Sequence, residues 1–275
     1  MRFFSNISRF LQLTSFPPFT FLHLSITLLY YSFTIPYSPE QLHVCNFTDT
    51  VVPYIGIKCA ARRCSLLFVQ TVVLLAFVRK DDLQKKYGLC KSPVPASRFL
   101  YYVPLFILAS GNLWNGIALN YSLPETVCRI VCMLCVGFLE ELIFRGFLFV
   151  SIAKDNTKSA IIISSVTFGV GHLINLFNGS GMDLVSNLLQ IGFAIAVGFL
   201  LVTIFYRGGS LLPCIFVHST INTLGTFANE TGLTMEKRLL HIGILIAVTV
   251  IYTLILTRTL PKKRNKALRQ RRNVC

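Results

Sequence analysis

The sequence predicts an all-α protein, a polytopic transmembrane helical bundle of about eight spans. Two observations predict it. Of 275 residues, 53% are hydrophobic and 13% charged, against about a quarter charged in an ordinary soluble domain. Apolar runs also recur at 14–35, 64–78, 99–119, 126–150, 159–177, 184–206, 210–228 and 239–257. Most come close to the roughly 20 residues that cross a hydrocarbon core about 30 Å thick.

The elements follow in order. Pro17 and Pro18 interrupt the first run, and Arg2 and Arg9 precede it as in a signal peptide, but no small-residue cleavage site follows, so it is read as a helix. The second run is short unless it begins before Arg62 and Arg63. The later runs are longer and separated by polar turns, one of them at Met182 and Asp183. The chain accordingly divides into an N-terminal transmembrane region (1–98), a core (99–257) and a basic tail (258–275).

The net charge of +15 is concentrated in that tail, at Arg258, Lys262, Lys263, Arg264, Lys266, Arg269, Arg271 and Arg272. A basic segment directly after an apolar run reads as a cytoplasmic anchor near anionic lipid headgroups. No nucleic-acid-binding motif accompanies the charge, which excludes that class of partner. With the tail inside, the segments carrying most of the other basic residues also fall inside, whereas Lys58, Arg62, Arg63, Lys237 and Arg238 fall outside. Both termini are expected in the cytoplasm and the protein in the cell (plasma) membrane. Asn46, Asn120, Asn178 and Asn229 head N-x-S/T sequons in the outer loops, which matters only in a cell that glycosylates. The cysteines Cys128, Cys132 and Cys135 share a helix face and read as small packing residues.

Ionisable side chains inside a span cost several kcal/mol on insertion scales and mark functional sites. Here they form a set. The fourth run holds Glu140-Glu141-Leu-Ile-Phe-Arg145, the fifth Phe168-Gly-Val-Gly-His172 and the seventh His218-Ser-Thr-Ile-Asn222. Glu141 with Arg145, Phe168 with His172 and His218 with Asn222 are each four apart, on one helix face. A helix-stapling salt bridge accounts for Glu141 and Arg145 but not for Glu140, which points about 100° away. At about 1.5 Å per residue from the cytoplasmic helix ends, Glu140 lies about 15 Å deep, His172 about 20 Å, His218 about 12 Å and Asn222 about 18 Å. Gly169, Gly171, Gly192 and Gly198 are read as sites of close helix packing.

Such a group suits amide hydrolysis. A desolvated glutamate takes a proton from water, a histidine orients that water, and Asn222 with His218 can donate to the developing oxyanion. The competing arrangement is a divalent metal site, zinc for instance, with His172, His218 and Glu140 as ligands. Spacing does not separate the two, although no H-E-x-x-H element is present. A transporter, using the same charges to relay protons or bind a cation, is a further reading, but no internal repeat accompanies it.

EELIFRG, FGVGH and HSTIN, in this order on separate spans, resemble the three motifs of the CPBP (Abi) intramembrane protease family, which includes the type II CAAX prenyl proteases. The segment GGSLLPCIFVHSTIN is similar to that family's approach to its last motif. The likeness covers roughly 126–225. It implies an eight-helix fold whose catalytic cavity opens toward the cytoplasm and an endopeptidase acting on a peptide or protein at the membrane. Glu140 with His172 would activate the water, His218 with Asn222 would hold the oxyanion, and Glu141, Arg145 and Phe168 would shape the site. No cofactor is favoured on this reading. The family's breadth also admits a non-proteolytic bacteriocin-immunity partner.

Overall fold

The computed structural model describes residues 51–80, 83–176 and 182–260, with the backbone alone for 51–63 and Lys80. The first apolar run and the tail beyond Leu260 lie outside the described residues. Among the described residues seven α-helices longer than a single turn make up the fold: α1 (Val51–Lys80), α2 (Val103–Ser110), α3 (Leu123–Glu141), α4 (Thr157–Gly171), α5 (Leu184–Gly208), α6 (Leu212–Gly225) and α7 (Met235–Thr259). Among the described residues there is no strand, only one isolated bridge between Ile117 and Ala228.

Local chemistry sets the boundaries. Ser122 enters α3 in an extended conformation with Pro124 in the first turn, where its missing N–H costs nothing. Asn156, Asp183 and Thr234 each accept a hydrogen bond from the backbone N–H three residues on, at the starts of α4, α5 and α7. These caps satisfy donors that no helix can satisfy internally. α5 ends on Gly209 at φ 76°, a left-handed position that glycine occupies without a Cβ penalty.

Among the described residues three helices are long and apolar enough to cross a membrane: Thr157–Leu176, Leu184–Gly208 and Met235–Thr259. The apolar stretch of α1, Cys64–Arg79, is shorter. α3 continues without a break through a π-helical stretch, Leu142–Phe149, into a last turn at Val150–Ile152. Glu125, Arg129, Glu140, Glu141 and Arg145, not its length, set it apart from those purely apolar helices. The expected span at 99–119 differs more. Leu100, Tyr101 and Tyr102 are all left-handed, α2 has only eight residues, and the chain then tightens into a 3-10 turn at Gly111–Leu113. Pro104 lacks the N–H that would extend α2 backward. The left-handed turn, where each such residue costs about 1–3 kcal/mol, is held by the Tyr252 hydroxyl, which donates to the Phe99 carbonyl at 2.6 Å.

α4 packs on α5, α6 on α3, α1 on α3, and α7 on α5. The polarity of the bundle is inverted relative to a soluble protein. Phe68, Phe106, Phe216 and Leu240 are exposed on the outside, whereas Glu140, Glu141, Arg145, Asn187 and His218 are buried. That distribution suits lipid as the surrounding solvent, and the helical bundle is that of an integral membrane protein. Two ends can be told apart. At one, the 83–98 segment docks under α5 and α7: Ser92 Oγ donates to Gly208 O at 2.9 Å and Arg98 to Thr259 O at 3.0 Å. At the other, residues 111–120 meet 225–231: Ala118 N donates to Phe227 O at 3.0 Å and Asn115 to Asn229 O at 2.8 Å.

Candidate active site

α3 supplies the two glutamates from its last turn, and the π-helical stretch that follows supplies Arg145. π-turns are rare and often mark functional positions. Arg145 is fully buried, and its Nη1 donates to Glu141 Oε1 at 2.9 Å. The same oxygen lies 2.9 Å from His218 Nδ1 on α6. An ionised carboxylate accepts only, so Nδ1 is the protonated nitrogen when Glu141 is charged. The other ring nitrogen, Nε2, is 3.5 Å from Glu140 Oε2. His218 thus sits between the adjacent glutamates, one fixing each nitrogen.

Glycine makes this approach possible. A Cβ on Gly137 would lie 2.7 Å from the backbone N and Cα of Ser219, so α3 and α6 touch main chain to main chain one turn before Glu140. Gly169 does the same between α4 and α5, where a Cβ would be 2.7 Å from Ile195 N. Gly198 also packs against backbone, at Ser165, whereas Gly171 and Gly192 face open space. Only two of the four glycines expected to mediate packing do so.

Phe168 on α4 joins the parts. The Arg145 guanidinium lies over its ring, 4.0 Å from the centroid, a cation–π contact that strengthens when water is excluded. The His172 and His218 rings meet Phe168 edge-on, with centroids 5.7 and 5.4 Å away. His172 itself begins the 3-10 turn after α4 and is half-buried. Its carbonyl, an orphan acceptor at a helix end, receives a hydrogen bond from Asn187 Nδ2 at 2.9 Å. One turn along α5, Gln190 Oε1 accepts from Asn175 at 2.8 Å.

Phe168, His172, His218 and Asn222 line one cavity of about 370 Å³. Its inner wall includes buried Ala194 and Val197, and its rim includes exposed Gly225 and Glu230. It therefore opens at the end where residues 111–120 meet 225–231.

The expected residues converge, but in a different pairing. Glu140 lies behind His218, and among the described residues no hydrogen bond or ion pair joins it to His172. His218 has two carboxylate partners where an oxyanion role alone would need none. Glu141 and Arg145 form the anticipated i, i+4 bridge, and it extends to His218. Among the described residues no three of His, Cys, Asp and Glu converge closely enough to hold a metal ion, and the set His172, His218 and Glu140 does not fit one. Two residues escaped the sequence reading. Asn187 is fully buried inside an apolar run, and Asn112 donates to the Ile221 carbonyl at 2.7 Å beside Asn222. An uncharged carboxamide within a span is a weaker signal than a charge, yet it carries the same cost when unpaired.

Residues 122–224 match the family model of type II CAAX prenyl endopeptidases, Rce1-like. This stretch is similar to an Rce1-like domain. It spans just over a third of the chain and begins and ends with the helices that hold the site, from the N-cap of α3 to the end of α6. Comparison with curated proteins and with solved structures finds no match. The matched stretch contains Glu140, Glu141, Arg145, Phe168, His172, Asn187, His218 and Asn222, and the match points to an endopeptidase of the CAAX type.

Proposed function

We propose that this protein is an intramembrane endopeptidase that hydrolyses a peptide bond in a membrane-associated peptide or protein through a glutamate-activated water. The observation that carries the reading is His218, held by Glu141, backed by Glu140 and lining a cavity together with His172 and Asn222. The Rce1-like match makes a prenylated carboxyl-terminal peptide the first substrate to try.

On this reading a water drawn in beside His218 Nε2 gives up a proton directly to the Glu140 carboxylate. His172 orients the water as its oxygen attacks the scissile carbonyl. The Asn222 carboxamide donates to the oxyanion, the C–N bond breaks, and the proton held by Glu140 goes to the leaving amine. A positioned base contributes about 10²–10⁴-fold, and one oxyanion donor about 10²–10³-fold.

The test is cleavage of a quenched-fluorescent peptide panel, prenylated members included, by the purified full-length protein with and without a chelator. Glu140→Gln and His172→Ala are expected to lose at least about 10²-fold in kcat, and the wild type to retain activity under chelation. Loss on chelation would replace the glutamate route by a metal-assisted one. Cleavage equal in wild type and Glu140→Gln, or a wild type inert across the panel, would overturn the proposal in favour of a binding or transport role.

A further inference from the structure

We propose that Arg238 on α7 is the specificity residue of the cavity and binds the free terminal carboxylate of a peptide whose scissile bond lies about three residues upstream. The position of the scissile bond rests on the endopeptidase reading. The carboxylate site itself does not depend on turnover.

The cavity is not made by the family-matched stretch alone. That stretch ends at residue 224, whereas Arg238, His241, Ile242 and Leu245 on α7 line the same cavity as His218 and Asn222. Spacings of three and four residues put them on one face of α7. α7 packs on α5 and α2, and α6 on α3 and α2, which leaves the cavity between α6 and α7. Along the α7 face the chemistry changes once. A cation stands at the rim, and apolar Ile242 and Leu245 follow further in, continuing the apolar wall of Phe193, Ala194 and Val197 on α5.

Among the described lining residues Arg238 is the one side chain with a permanent positive charge and Glu230 the one carboxylate. The two are paired, Arg238 Nη2 donating to Glu230 Oε2, with the Glu230 side chain 62% exposed. So exposed a pair holds weakly, and a guanidinium presents five N–H donors in a fork that suits a carboxylate. Glu230 thus shows where a carboxylate docks, and the substrate's own replaces it there. Asn115 and Asn229 also line the rim but are committed to its turn. Asn115 Nδ2 donates to the carbonyls of Asn229 and Thr231 at 2.8 and 3.1 Å, and Asn229 Oδ1 accepts from Thr231 N at 2.9 Å.

Distance selects a chain end close to the scissile bond. Counted from the rim at about 1.5 Å per residue, His218 lies about 10 Å down α6, Asn222 about 5 Å, and Arg238 about 5 Å down α7. Three extended residues reach about 10 Å, enough to cross from a carbonyl beside His218 and Asn222 to the guanidinium. A small free anion needs no apolar wall between those points. A peptide end with apolar side chains uses it.

The probe is a fluorescein-labelled prenylated tetrapeptide, made as the free acid and as the carboxyl-terminal amide. Binding is read by anisotropy on the full-length protein in a Glu140→Gln background, and cleavage on the wild type. The acid is expected to bind at least about tenfold more tightly than the amide, as a hydrogen bond to a charged group does, and in cleavage the difference falls on KM rather than kcat. Arg238→Gln brings the acid to the amide's value, and Arg238→Lys, which keeps the charge without the fork, retains part of the preference. Equal binding of acid and amide, or a preference that survives Arg238→Gln, overturns the proposal. The acid–amide comparison needs no change at Arg238, so a misfolded variant cannot rescue it. Cleavage of both forms alike retires the carboxylate site and keeps the endopeptidase reading. Selective binding of the acid with no cleavage retires the endopeptidase reading and keeps the site, and binding of neither form removes both.

Discussion

At His172 the backbone is held from behind, by Asn187 on its carbonyl. Asn187 has no route to the cavity's chemistry except through the carbonyl it binds, so its effect on catalysis is expected to pass through His172. Asn187→Asp keeps the shape but removes the donor, and a drop of at least tenfold in kcat with KM little changed is expected. In a double-mutant cycle, Asn187→Ala adds nothing further in a His172→Ala background, the non-additivity of residues acting as a unit. Additive losses would make Asn187 a packing residue only. Glu141 is held more stringently, because it is shared by Arg145 and His218 with no exposed surface. Glu141→Gln leaves the buried guanidinium without a counter-charge, and breaking one side of a buried pair costs about 3–5 kcal/mol. A fall in thermal midpoint of the purified protein in detergent is the expected reading, and an unchanged midpoint would mean that the Phe168 ring suffices for Arg145.

Among the elements, α3 and α6 depend on one glycine for their spacing. Gly137→Ala sets a methyl 2.7 Å from the Ser219 backbone, which no rotamer change relieves. The helices must part, and the His218 to Glu141 contact of 2.9 Å lengthens. Cleavage is expected to fall at least tenfold while Gly192→Ala, which faces open space, leaves it unchanged. Equal behaviour of the two variants would remove spacing as the reason for Gly137. The α2 region shows why an apolar run is not yet a helix. Hydropathy averages over 99–119, but three successive left-handed residues and Pro104 decide the path, and neither Leu100 nor the two tyrosines advertises that conformation. For α4, α5 and α7 hydropathy and capping residues agree, and those elements were legible.

Across the whole molecule the protected interior and the open rim lie at different levels. Leu200 to Phe205 on α5 are all buried, whereas 225 and 230–232 at the mouth are exposed. Hydrogen exchange followed by mass spectrometry is expected to be slowest across 200–205 and fastest across 226–233, since local opening follows contact density. Comparable rates would argue against a built cavity rim. The residue types of the site were legible in the sequence because charges inside apolar runs are conspicuous. Their pairing was not, because it depends on how far α6 is allowed to approach α3, and on which glutamate faces it. Helical depth placed Glu140 and His172 near one level, yet level says nothing of azimuth. Azimuth is where the π-helical stretch Leu142–Phe149 has its widest consequence. Each residue turns a helix by about 100°, so this stretch works as a phase shifter between the part of α3 that bears the glutamates and its own far end, where Phe147 meets the Tyr87 ring and Phe149 the Phe205 ring edge-on. Substitutions within it are a matter of fit. A one-residue deletion would restore ordinary helical winding and rotate everything on one side of it, unhooking Arg145 from Glu141 without altering any other side chain.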